Sequence, residues 1–382
     1  MTTIGEFMEL DQIRISIDEI DGEILTLFER RMKLCGDVAD YKSKNGLPVF
    51  QGEREKQVLD KITQKSPKEL EAATKLLFSQ IMEISKCLQQ EKLTQPRTSA
   101  TSKLKDTPKI ACPGIKGSYT EEACLKLFGC CDIDYFDSFG EVFGAVEENR
   151  ADYGILPIEN STAGDVSETY DLLEKQKMYI CGRVTIPVRH VLAAKEETGE
   201  ITCVLSHQQA LHQCAGFIKS KGYAKKKALN TSIAARTVSE SGEKGLACIC
   251  SAHCAELYGL KVIARDIADS SENFTRFIVI SKQPQIDPES DTTSICLSLS
   301  NTEGSLYKML TKFLYCGLNL TKIESRPMPA HIKEKSGITG FEVIFYLDFE
   351  GSILDPSISR LLTNLEKECG FFRFLGSYRD LD

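Results

Sequence analysis

The sequence predicts a multidomain chain with three architectures in series: an all-helical block, an alternating α/β block and a small α+β block. Three observations carry this expectation. From residue 10, apolar side chains recur at alternating spacings of three and four, the mark of a helix packed along one seam. After residue 108, short strand-like runs alternate with helical ones. The final stretch shows two strand–helix–strand patterns. Two segments poor in apolar residues separate these blocks, TQPRTSATSKLKDTP at 94–108 and QPQIDPESD at 283–291, and they read as linkers, the first of them flexible. The expected domains are therefore 1–93, 109–282 and 292–382.

At 382 residues, two or three folded units are expected. Hydrophobic residues make up 42% and charged residues 27%, which excludes wholesale disorder. Lys plus Arg number 47 against 55 Asp plus Glu, a net charge of −8 that argues against nucleic acid or an anionic membrane as the main partner. No run approaches the roughly 18 apolar residues that span a bilayer. Met1 to Leu10 lacks the basic and apolar segments of a secretory signal, so a cytoplasmic chain is expected. The fifteen cysteines are scattered and include the adjacent Cys130 and Cys131, as suits reduced thiols. The densest group, Cys248, Cys250, His253 and Cys254, lacks the second half of a zinc-binding pair. Its first two cysteines alternate along Leu246-Ala247-Cys248-Ile249-Cys250, a strand pattern, and no metal site is expected.

In the first block the seam runs Leu10, Ile13, Ile17, Ile20, Ile24, Leu27, Leu34, Val38 and Tyr41, and Arg31 stands where an apolar residue belongs. A charge in a packing seam is costly unless something anionic meets it, either a buried acid or a ligand. Lys42 lies three turns further along the same face, about 16 Å away, so both side chains can converge on one ligand. Arg14 is about 25 Å from Arg31, too far to join them within one chain. A helix about 50 Å long cannot bury its seam in so small a block. It needs a partner, most simply a second copy on a twofold axis, which also brings a second Arg14. Gly46-Leu47-Pro48 ends the helix, and Arg54 and Glu55 open the next. A third helix carries Leu70, Leu77, Ile81, Ile84 and Leu88 as its core stripe. Ser85 and Gln89, four apart on the edge of that stripe, face one pocket or form a solvated flank.

These residues resemble the all-helical chorismate mutase domain, an intertwined dimer, over nearly all of residues 8–92. The resemblance implies that Arg31, the neighbouring subunit's Arg14 and nearby Arg54 hold the two carboxylates of chorismate. It places Lys42 and Gln89 at the ether oxygen, Glu55 at the ring hydroxyl and Ser85 in the pocket. Gln51 stands where relatives often carry an aspartate that orients the hydroxyl, so altered affinity is expected there. The implied rearrangement to prephenate is one pericyclic step, helped by holding the compact conformer and stabilising charge on the ether oxygen. Cations and amide donors suffice for it, with no nucleophile and no cofactor.

The central block opens with KIACPGIKGSYT at 109–120, a strand leading through a glycine turn into a helix. It continues with Gly154-Ile155-Leu156-Pro157-Ile158-Glu159-Asn160-Ser161-Thr162-Ala163-Gly164, then Ser206-His207-Gln208-Gln209-Ala210-Leu211, then Asn273-Phe274-Thr275-Arg276-Phe277. Taken singly these suit capped loops, with Ser206 and Asn273 as helix ends. In this order they resemble prephenate dehydratase across the whole block. The resemblance implies two α/β lobes arranged as in periplasmic binding proteins, with a cleft active site. Thr275 is implied as the catalytic residue and Arg276 as its cationic neighbour, with Asn160, Ser161, Thr162, Ser206 and Gln209 lining the pocket. Prephenate loses carbon dioxide and its ring hydroxyl together. Hydroxide is the hard leaving group, so Thr275 is expected to act as a positioned hydrogen-bond donor. Gln208 and Lys116 replace usual prolines beside the pocket, and His207 is expected to be a structural cap.

In the last block Thr293 to Ser300 alternates as a half-buried strand, and Gly304-Ser305-Leu306 opens a helix through Phe313. Strands ending at Glu324-Ser325-Arg326-Pro327 and spanning Phe341 to Phe349 follow, then a helix near 357–368 and a final strand. The order βαββαβ is a ferredoxin-like plan. The GSL and ESRP segments resemble the phenylalanine-binding ACT domain, which implies feedback inhibition by L-phenylalanine held between two such domains of a homodimer. Both substrates are dianions, in keeping with arginines in the pockets of an acidic protein. Two other readings remain at this stage: a dehydratase preferring arogenate, against which the fused mutase argues, and a non-catalytic amino-acid sensor, against which the intact Arg14, Arg31, Lys42, Arg54, Glu55 and Thr275 argue.

Overall fold

The computed structural model describes residues 10–47, 52–97, 99–196, 199–336 and 342–381. These divide into two compact units. One comprises 1–98, 297–346 and 353–373, and the other 99–296, 347–352 and 374–382.

The first unit begins with α1 (Leu10–Lys44), α2 (Gly52–Thr63), a single 3-10 turn (Lys68–Leu70) and α3 (Glu71–Leu93). Thirty-five residues without proline make α1 about 52 Å long. Its apolar seam is exposed in the single chain, with Ile20 at 55% and Leu27 at 64% accessibility. The predicted core stripe of α3 is corrected here. Leu70 and Leu77 are more than half exposed, and the buried face carries Met82, Ser85, Cys87 and Gln89 instead. Periodicity locates an apolar stripe but cannot say which neighbour covers it, and in α3 the inward face is the mixed one.

The second unit holds two sheets. Its elements in chain order are β1 (Lys109–Pro113), α4 (Tyr119–Phe128), β2 (Asp132–Phe136), α5 (Phe139–Glu147), β3 (Tyr153–Asn160), β4 (Gly164–Asp165), α6 (Ser167–Gln176) and β5 (Tyr179–Pro187). Next come β6 (Val191–Ala194), β7 (Cys203–His207), α7 (Gln208–Gln213), α8 (Ala215–Lys221), β8 (Ala224–Ala228), α9 (Thr231–Glu240), β9 (Leu246–Cys250), α10 (Ala252–Leu257), β10 (Lys261–Ala264) and β11 (Phe274–Ser281). One sheet runs β2-β1-β3-β11-β5 with β4 on β3, and the other β10-β6-β9-β7-β8. The chain passes from the first sheet to the second between β5 and β6 and returns between β10 and β11. The two crossovers lie side by side, joined by Val188 N to Asn273 O at 2.8 Å and Ile267 N to His190 O at 3.2 Å. This makes two lobes on a double hinge, as expected.

Strand β9 is buried along its whole length because the second sheet is covered on both faces, so Cys248 and Cys250 pack as small hydrophobes. In β3, Gly154 is required by close approach: a Cβ there would meet Ile280 Cγ1 at 2.8 Å and Val142 Cγ1 at 2.9 Å. The first linker is not a solvated tether. Arg97 N donates to Ser359 Oγ at 2.7 Å within the first unit, and Ser102 N to Ile286 O at 2.9 Å within the second. Small polar side chains there serve backbone contacts, a use that composition does not distinguish from solvation.

A third sheet follows, with β12 (Thr292–Ser298), α11 (Ser305–Tyr315), β13 (Leu320–Pro327), α12 (Ala330–Ser336), β14 (Val343–Glu350), α13 (Pro356–Glu368) and β15 (Phe371–Tyr378), in the order β13-β14-β12-β15. Helix α12 was not foreseen. Among the described residues no helix is long and apolar enough to cross a membrane.

Within the second unit, buried Arg183 donates to Asp380 Oδ2 at 3.1 Å and Asp348 Oδ2 at 3.4 Å and lies over the Tyr378 ring at 5.8 Å. Removing one side of a buried pair strands the other charge. Arg183→Ala is therefore expected to cost about 3–5 kcal/mol of stability, read by urea denaturation. An unchanged midpoint would show that the two carboxylates resolvate freely.

Candidate active sites

In the first unit, Arg31 on α1 meets Ser85 on α3, and the same two helices bury Lys42 and Gln89. Arg31 Nη1 donates to Ser85 Oγ at 2.5 Å, and that hydroxyl donates in turn to Ile81 O at 2.7 Å. Lys42 and Gln89 are each only 8% exposed, and Gln89 Oε1 is buried without a partner among the described residues. Burial pushes the Lys42 ammonium below the usual lysine range, against the opposing fields of Glu55 and Cys35. Glu55 accepts from Lys86 Nζ at 3.3 Å. The unpartnered Gln89 Oε1 leaves room for a hydrogen-bonding occupant at this end of the pocket. Arg54 is exposed at the start of α2. Arg14 is exposed, pairs with Asp11 at 3.3 Å and takes no part in this cluster within its own chain. Gln51 lies outside the described residues.

In the second unit, the register pairs Thr275 of β11 with Asn160 of β3, and Arg276 with Glu159. Asn160 Nδ2 donates to Thr275 Oγ1 at 2.9 Å and faces Phe274 O at 3.0 Å. Its Oδ1 accepts from Ala163 N at 2.9 Å and Thr162 N at 3.1 Å. Backbone N–H groups can only donate and a backbone carbonyl can only accept, so the Asn160 amide has one orientation. Gly164, at φ 81°, lets the chain turn back so that β4 pairs with β3 at Asn160. Gln209 Nε2, from the second lobe, reaches Asn160 Oδ1 at 3.3 Å.

Five expected residues stand differently. Arg276 Nη1 pairs with Glu159 Oε2 at 2.6 Å; successive strand residues face opposite sides, so the pair lies across the sheet from Thr275. Ser206 is fully buried and donates to Ile249 O at 2.7 Å, not to a helix end. Ser161 Oγ accepts from Phe274 N at 3.0 Å and donates to Glu272 O at 3.1 Å, tying the loop to β11. His207 occupies the N-cap position of α7, but its side chain makes no capping bond, which corrects the expectation of a cap. Asn273 also serves no helix end: its Oδ1 accepts from Asn160 Nδ2 at 2.9 Å, and its own Nδ2 is buried without a partner among the described residues.

Gln213 was missed. It follows Gln209 by one turn of α7, a spacing that already places both on one face, and its Nε2 donates to Thr162 Oγ1 at 2.6 Å. Gln208 accepts from Lys227 at the surface, and Lys116 O accepts from Tyr258; neither side chain joins the cluster.

In the first unit again, Gly304 at φ 80° precedes α11, and Ser305 and Leu306 line a cavity of about 300 Å³ with Leu299, Thr302, Val343 and Phe345. Glu324, Ser325, Arg326 and Pro327 lie on β13, the edge strand, and do not line it.

Comparison with known proteins gives two family matches, prephenate dehydratase over residues 110–285 and chorismate mutase type II over residues 13–90. A bifunctional chorismate mutase/prephenate dehydratase of Aquifex aeolicus (strain VF5) is 34% identical over 379 residues, 97% of this chain and 98% of that protein. An Arabidopsis thaliana protein, arogenate dehydratase/prephenate dehydratase 1, chloroplastic, is 38% identical over 71% of each chain. The crystal structure of prephenate dehydratase from Arthrobacter aurescens in complex with L-Phe has a TM-score of 0.64 and 27% identity, covering 72% of this chain and 90% of that one.

Proposed function

The chain belongs to the bifunctional chorismate mutase/prephenate dehydratase family of phenylalanine biosynthesis, and from that premise we propose which residues perform each step and how the end product regulates them. In the mutase pocket, Arg31 and Lys42 bind the dianionic chorismate, and Lys42 with Gln89 stabilises charge growing on the ether oxygen. Glu55 binds the ring hydroxyl, Ser85 orients Arg31, and Arg54 borders the site. The exposed seam of α1 supports a homodimer in which the partner subunit's Arg14 completes the pocket. Light scattering should return twice the chain mass; a monomer with full mutase activity would remove this part of the reading.

In the dehydratase cleft, Thr275 accepts from Asn160, so its own proton is free for the departing ring hydroxyl. That bond is the observation carrying the assignment. Thr162 and Gln209 frame the pocket around it, while Ser161 and Ser206 act by holding the loop and the sheet. Arg276 contributes through its pair with Glu159.

The third sheet, whose βαββαβ plan is interrupted only by α12 between its second and third strands, is read as a ferredoxin-like ACT domain. L-Phenylalanine enters the cavity at Gly304, Ser305 and Leu306, and Glu324 to Pro327 of a second copy close it from the open edge of β13. Inhibition requires that phenylalanine bind a less active arrangement more tightly than the active one. The free thiols suit a reducing cytoplasm.

The test is to supply chorismate and follow prephenate and phenylpyruvate with and without L-phenylalanine. Phenylpyruvate formation that phenylalanine suppresses supports the whole reading. Turnover indifferent to phenylalanine removes the regulatory part. Arogenate outcompeting prephenate in the same assay would reassign the preferred substrate.

A further inference from the structure

The crossover between the lobes carries a histidine that no motif includes. His190 is 2% exposed, three residues beyond the end of β5, and its Nε2 lies 2.9 Å from Gln213 Oε1. From there a single line of hydrogen bonds leads to Thr275, and each bond has only one direction. Asn160 Oδ1 is an acceptor, because it faces two backbone N–H groups. Thr162 Oγ1, 2.7 Å away, must therefore donate to it. With its only proton so used, Thr162 must accept from Gln213 Nε2 at 2.6 Å. That turns Gln213 Oε1 toward His190, which must donate from Nε2. Tyr119 OH, which donates to Arg189 O at 3.0 Å, stands 3.4 Å from the other ring nitrogen, with the rings edge to face at 6.2 Å.

We propose that His190 is a positioning residue for the dehydratase: as an Nε2 donor it sets Gln213, Gln213 sets the Thr162 hydroxyl, and Thr162 helps to lock the Asn160 amide that leaves the Thr275 proton free. The line runs from the hinge through the second lobe into the first, so it assembles only when the lobes stand as they do here. Without the His190 donor, the Gln213 amide can turn over and present its oxygen to Thr162. Thr162 then donates to Gln213 instead, and Asn160 loses one of the donors that hold it. Burial holds His190 below the usual histidine range, so it serves as a neutral, fixed donor and transfers no proton.

This inference rests on the reading of Thr275 given above, and three variants of the full chain separate the two. His190→Phe keeps the ring shape and removes the donor, while His190→Gln restores an N–H at similar reach. The first is expected to lower kcat for prephenate about tenfold with KM within about twofold, since the defect lies in alignment. The second should recover most of that loss. Thr275→Ala serves as the reference. If it keeps activity, the Thr275 reading fails. If it is inactive while His190→Phe keeps wild-type kcat, the positioning role alone fails. Equal losses in both His190 variants, or a change confined to KM, would also overturn the role. Should His190→Phe not fold, His190→Gln decides by itself: kcat near wild type supports the role, and a tenfold fall removes it.

Discussion

Thr275→Ala is expected to lower the conversion of prephenate to phenylpyruvate by about 10²–10³-fold in kcat, the usual cost of removing one preorganised donor from a developing anion. Chorismate rearrangement by the same preparation should be unchanged, because its residues lie in the other compact unit. The size follows from the Asn160 geometry. Thr275 Oγ1 accepts at 2.9 Å from an amide whose orientation the Thr162 and Ala163 N–H groups dictate. A hydroxyl that accepts there keeps its proton for the substrate, and no other group need move to deliver it. Thr275→Ser retains that proton and should keep activity within about tenfold of wild type. Loss of both activities in Thr275→Ala would mean that the two sites are not independent. Retention of dehydration would place the donor elsewhere in the cleft.

The mutase carries the second large effect. Lys42→Ala is expected to reduce chorismate rearrangement by about 10²–10³-fold while leaving dehydration of added prephenate intact. Lys42 is nearly buried, so it acts in a low-dielectric pocket where a fixed cation stabilises growing charge far more than in water. Lys42→Gln keeps a donor without the charge and should fall between the two. Burial also gives this site a pH signature. It favours the neutral amine and lowers the Lys42 pKa, so the required ammonium is lost as pH rises through that lowered value. The alkaline limb of mutase kcat/KM should therefore lie below the usual 10.5 of lysine and disappear in Lys42→Gln. An alkaline limb that persists in Lys42→Gln would assign the titration to another group.

The residues of this chain differ in how far their roles could be read without coordinates. The α1 seam was legible because helical periodicity is a nearest-neighbour property, and a single Arg31 out of step with Leu27 and Leu34 marks a charge that a buried acid or a ligand must meet. Lys42, three turns on, followed from the same arithmetic. Thr275 and Asn160 were legible as motif members, and strand alternation alone could have sent Arg276 to the opposite face. Gln213 was within reach through its four-residue spacing from Gln209. What the sequence could not provide was the choice among partners that are all locally acceptable. Ser206 suits a helix end but spends its hydroxyl on Ile249, 43 residues away in sequence. His207 holds a cap position without capping, and α3 turns Ser85 and Gln89 inward while its leucines face out. His190 meets Gln213 and Tyr119 only because the two crossovers run side by side. Local periodicity decides which face of an element is apolar. Which polar group satisfies which is decided by burial, since a buried donor must find an acceptor wherever the fold brings one.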